Sequence, residues 1–242
     1  MIEATMTRFI EMVSELETNP KIFVVIGLVT QDASEAEASE QFAKLGVQPS
    51  KDCLDYYSTI SEVSLWWIHI GNPKFDRDKY EKARKDYLEK GKTPEFSIME
   101  HCDGMVSIGA AEFMVDPSFA SALIESQAYQ ASNKSNSSIL LDQNCPTRYF
   151  DEFSNEGDNI AIQFGLDSTE RIFLPTDEAQ DFESSRITTL SSYLEFLTWS
   201  KGLKSARYDF FVQQKPDGPQ QVELIDKAYF DALPPINING LY

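Results

Sequence analysis

Glu100-His101-Cys102-Asp103 places side-chain types that ligate zinc or activate a cysteine nucleophile at consecutive positions. Consecutive side chains point in different directions, and no second cluster at zinc spacing follows, so the segment reads as a turn ending at Gly104. Histidine is confined to His69 and His101, and there is no Gly-x-Ser-x-Gly elbow for a Ser-His-Asp triad. A phosphate-cradling glycine loop is missing too: Gly91-Lys92-Thr93 approaches one, with Asp86 standing where the first glycine is required. Carboxylates remain. Asp177, Glu178, Asp181 and Glu183 form an acidic run, and Asp142, Asp151 and Glu152 precede it. Paired carboxylates can do acid–base work, with Asp142, Asp151, Glu152, Asp177 and Glu178 as candidates. A solvated loop is the plainer reading of the 177–183 run, and an acidic docking surface comes second.

The whole chain shares that acidity: 21 Lys and Arg stand against 39 Asp and Glu, a net charge of −18 over 242 residues. Such a field repels phosphate backbones and anionic membranes and attracts basic proteins, so a nucleic-acid or membrane partner is not expected. Solubility alone is the plainer reading of the charge. With 42% hydrophobic and 12% aromatic residues the chain can build a large core. Ile22 to Val29, the longest apolar run, is far short of the roughly 20 residues of a membrane span. The N-terminus is charged and amphipathic, unlike a secretory signal, and the cysteines Cys53, Cys102 and Cys145 are scattered and odd in number. Both features point to reduced thiols and a cytoplasmic location.

The elements that must position these residues follow from periodicity. Ile2, Met6, Phe9, Ile10, Val13 and Leu16 predict an amphipathic helix over 2–17, stopped by Asn19-Pro20. Ile22 onward reads as a buried strand, with a helix as the alternative. Ser34 can cap a helix to Leu45, with Gly46 as its stop, and Pro49-Ser50 opens another that carries Cys53, Leu54, Tyr57 and Ile60. Val63–Ile70 is a strand. Residues 73–94 form a charged helical insertion, a solvated surface helix with Tyr80, Ala83 and Leu88 as its few apolar anchors.

A strand over 105–114, a helix over 117–129 and a polar loop over 131–138 come next. Short strands at 139–142, 147–150, 160–164 and 171–174, with a turn at Asn155–Asp158, predict an antiparallel meander. A helix containing Ile187, Leu190, Leu194 and Leu197 then follows, capped by Ser184 or Ser185 and ending near Gly202. Beyond it the pattern predicts a strand at Arg207–Val212 and a helix near Val222–Leu233.

Within this order, Leu45-Gly46, Pro49, Tyr56-Tyr57 and Trp66-Trp67 form a series: helix, leucine-glycine, proline turn, aromatic helix, tryptophan strand. Residues 160–179 and 186–199 add a hairpin, an acidic stretch and a capped aromatic-leucine helix. Over about residues 34–200 the series resembles the SUKH superfamily, which contains fungal cell-wall-synthesis regulators and bacterial toxin-immunity proteins. The resemblance implies an α+β fold, a mainly antiparallel sheet with helices packed chiefly on one face. It divides the chain into a domain over 1–202 and an addition over 203–242, packed on it by Phe210, Phe211, Tyr229 and Phe230.

It also implies a non-enzymatic role without cofactor or metal: an immunity protein that covers the active site of a basic toxin. An enzyme using paired carboxylates and a regulatory scaffold are the alternatives. The partner-binding candidates are Asp177, Glu178, Asp181, Glu183 and Trp66. Strand alternation sends Trp66 and Trp67 to opposite sides. Trp67 belongs to the helix-packed core by the resemblance. Trp66 then lies under the charged insertion, under the C-terminal segment, or at a partner site.

Overall fold

The computed structural model describes residues 2–109, 145–153, 159–165, 168–174 and 188–211. Within them the chain is α+β, with two antiparallel sheets of order β1-β2-β3 and β4-β5-β6. The first joins β1 (Ile22–Thr30), β2 (Glu62–His69) and β3 (Gly104–Ile108). The second is the expected meander of β4 (Thr147–Glu152), β5 (Asn159–Phe164) and β6 (Glu170–Phe173). Helix α1 (Ile2–Thr18) turns Met6, Phe9, Val13 and Leu16 of the predicted stripe into the core, with Met12 joining them and Ile10 only half-buried.

Local chemistry sets the next boundaries. The Ser34 hydroxyl accepts a bond from the Glu37 amide to start α2 (Glu35–Leu45), which Gly46 ends at φ 72°. That left-handed φ is open to glycine at little cost. Ser50 caps α3 (Lys51–Tyr57) in the same way. The helix stops short of Ile60, which is nonetheless fully buried. After β2, α4 (Arg77–Lys90) begins at an Asp76 cap and ends at Gly91, and α5 (Phe96–Met99) is one turn.

Helices α1, α2, α3, α6 (Leu190–Ser200) and α7 (Lys204–Phe211) share one core with both sheets. An aromatic series threads it: Tyr57 to Tyr56 at 4.9 Å, Tyr56 to Phe150 at 6.5 Å, Phe150 to Tyr193 at 6.0 Å and Tyr193 to Phe211 at 5.7 Å. The second face of the first sheet is covered as well. Trp66, Ile68 and Met105 lie there beneath Tyr80 and Ala83 of α4 and Ile98 of α5. The charged segment is therefore a lid on the sheet, with its polar side in water. Leu88 is not one of its anchors, since it is 70% exposed.

Three further sequence expectations need correction. Residues 207–211 belong to a helix, α7, because Arg207, Phe210 and Phe211 are buried against α6 and the sheet seam. Thr189, rather than Ser184 or Ser185, caps α6 by accepting from the Ser192 amide. The third strand ends at Ile108. The helices expected at 117–129 and 222–233, the loop at 131–138, the strand at 139–142, the turn at 155–158, and Ile187, Tyr229 and Phe230 lie outside the described residues.

Candidate functional site: a carboxylate pocket where the sheets meet

Between the sheets the join is made by a side chain. In β4 the register slips between Tyr149 and Asp151, leaving Phe150 as a bulge. Phe150 and Asp151 thereby both turn inward, which regular alternation forbids. Asp151 Oδ1 accepts the Ser107 amide of β3 at 2.8 Å. Its Oδ2 accepts the Tyr193 hydroxyl at 2.6 Å, and Arg207 Nε and Nη2 at 3.0 and 2.9 Å. Arg207 also donates to the Gly202 and Leu203 carbonyls and lies 5.0 Å from the Phe153 ring. Burial disfavours the Arg207 charge, and Asp151 and the Tyr193 hydroxyl together outweigh it, holding the guanidinium above its ordinary value. The Tyr193 hydroxyl is pushed far above its own, first by burial and then by Asp151. Asp151 thus makes four hydrogen bonds that tie the fold together, three of them on Oδ2, and it also lines the pocket beside the joint.

Beside this joint is a pocket of about 350 Å³ lined by Glu62, Ser107, Ile108, Tyr149, Glu152 and Asn159, among others. Topology brings them together: Glu62 opens β2, Ile108 closes β3, and Glu152 pairs with Asn159 across β4 and β5. Glu62 is half-buried and Glu152 exposed, and neither has an ion pair among the described residues. The packed walls disfavour charge on the Glu152 carboxyl, the Asp151 charge adds to that, and its proton affinity rises above the ordinary glutamate range. A carboxylate in that state gains from a cation set beside it, and it can also hold a proton to pass on. Among the described residues no group of three or more His, Cys, Asp and Glu is placed to hold a metal ion.

The residues singled out from sequence fall in different places. Asp177, Glu178, Asp181, Glu183 and Asp142 lie outside the described residues. Trp66 is 5% exposed, sealed under α4, so it is a core residue here and not an exposed anchor. Glu100–Asp103 forms the turn into β3. There burial drives the Cys102 thiol up to about 12, and Asp103 accepts the His69 amide and the Asn72 side chain. Lys204 ties that turn to α7 by donating to the Met99 carbonyl at 2.5 Å. Sequence reasoning named Asp151 and Glu152 but missed Glu62 and Arg207. A glutamate opening a strand carries no local signal. An arginine next to aromatics gives no hint of its buried carboxylate 56 positions earlier.

Among the described residues no helix is long and apolar enough to cross a membrane. No family model, no curated protein and no solved structure matches the chain, so the SUKH resemblance rests on the order of its own motifs.

Proposed function

We propose that the chain is a non-enzymatic, cytoplasmic protein-binding module that meets a basic partner through its acidic surface. With the SUKH resemblance, the reading is an immunity protein that covers a toxin's active site. The observation that carries it is the charge: −18 overall, with Glu62 and Glu152 at a pocket and without an ion pair among the described residues, while the fold supplies an internal cation to Asp151. Long-range attraction would speed encounter, and packed contacts would set residence time. Affinity capture from lysate of the source cells, at low and near-physiological salt, tests this. The expected result is one basic polypeptide kept at both salts and lost on charge reversal at Asp177 and Glu178. Retention of none at either salt overturns the reading.

A second reading, acid–base catalysis, draws on the same pocket. Glu152 with a raised proton affinity and Glu62 as a second carboxylate have the composition of an acid and a base. Turnover of a small-molecule panel, abolished by Glu152→Gln with the fold intact, is the outcome it requires.

A further inference from the structure

We propose that the pocket between Glu62 and Glu152 seats one arginine side chain of the partner protein. The inference rests on the binding role proposed above and specifies the chemistry of one contact. Its starting point is an asymmetry within β4. Asp151 and Glu152 are neighbours, yet α7 delivers Arg207 to the first, while no cation among the described residues reaches the second. Glu62 lines the same pocket without an ion partner among them.

A guanidinium suits this place better than an ammonium. It is planar, offers five donors in a fork that can bridge carboxylates, and tolerates partial drying because it is weakly hydrated. Tyr149 supplies aromatic wall, on which a guanidinium stacks. Size agrees as well. At about 350 Å³ the cavity is at the small end of ligand pockets, which run from roughly 300 to 1,000 Å³. That is room for a single long side chain and too little for a folded segment. A cation between Glu62 and Glu152 would also relieve the penalty that the walls and Asp151 impose on the Glu152 charge.

The test is a nuclear magnetic resonance titration of the full chain with acetyl-Gly-Arg-Gly-amide. Counterparts with citrulline, which keeps the shape and loses the charge, and with lysine run beside it. Saturable shifts at the Ser107, Tyr149 and Asn159 amides are expected for the arginine peptide. Citrulline and lysine peptides should bind at least about tenfold more weakly. A Glu62→Gln/Glu152→Gln double variant, its fold checked by thermal melting, should lose the arginine response by about the same factor. The single variants serve if the double variant does not fold.

Equal binding of arginine and citrulline overturns the proposal, as does an undiminished response in the glutamine variants or no response at those amides. Lysine binding as tightly as arginine overturns the guanidinium assignment. The wider binding role fails separately. A basic partner captured equally by wild type and double variant sinks the arginine seat and leaves the role standing. A working seat with no basic partner in the lysate does the reverse.

Discussion

Arg207 of α7 meets Asp151 of β4 through two nitrogens, at 2.9 and 3.0 Å, and neither side chain reaches solvent. The pair, with Tyr193 and the Ser107 amide, fastens two sheets and the last described helix at one point.

Arg207→Met or Asp151→Asn leaves one uncompensated charge or a stranded partner inside the core, and each should lose about 3–5 kcal/mol of stability. Asp151→Asn with Arg207→Met should lose less than the sum of the two single changes, because no lone charge is left behind. Urea unfolding of the three variants measures this. Additive losses would mean that the pair is uncoupled.

Gly104→Ala should be among the more damaging small changes in the protein. A methyl there would lie 2.0 Å from Trp67 Nε1, so the fully buried indole must move and give up its 2.7 Å bond to the Lys201 carbonyl. The expected loss is about 1–3 kcal/mol, as for overpacking. Trp67→Phe in the same chain should recover part of it. Thermal melting and tryptophan emission report both.

Trp66 under α4 gives a prediction that separates core from interface. Trp66→Ala should cost about 3–5 kcal/mol, while Trp66→Phe should keep most of the stability and leave capture of a basic partner unchanged. Capture lost in the phenylalanine variant, with its melting temperature near wild type, would return Trp66 to the interface.

His69 should make the fold sensitive to mild acid. It is 3% exposed, and burial, then the Lys21 charge, hold its imidazole below the ordinary value. Below about pH 6.5 the unfolded chain therefore takes up a proton that the folded chain refuses. Stability is complete above that pH and falls as the pH drops toward the folded value. Denaturant unfolding between pH 7 and 5 should show the slope, and His69→Gln should flatten it. An unchanged slope in the variant would place its origin elsewhere.

Elements governed by nearest neighbours could be read from the chain: the α1 stripe, the Ser34 and Gly46 limits of α2, and the alternation that parts Trp66 from Trp67. Residues whose state is set from far away could not. Arg207-Tyr-Asp-Phe-Phe-Val has the aromatic and β-branched content of a strand, and tertiary contacts made it helix through Phe211. Ser184, Ser185 and Thr189 satisfy the same capping rule, so local chemistry had no means of choosing Thr189. The pocket was half visible, since Glu152 was a candidate carboxylate. Its other wall depends on where β2 and β3 end, at the Thr30–Glu62 and Val63–Ile108 pairs, and on the Ser107–Asp151 bond that brings β4 beside them.

The single-point joint also has a timetable. A ribosome adding roughly 5–20 residues per second delivers Arg207 some 3–11 seconds after Asp151, which precedes it by 56 positions. Through that interval the carboxylate has no internal cation and stays with water, so the nascent chain can assemble its hairpins but not seal them together. The step that makes the seam dry therefore waits for Arg207, and a pause between the two codons would prolong the open state.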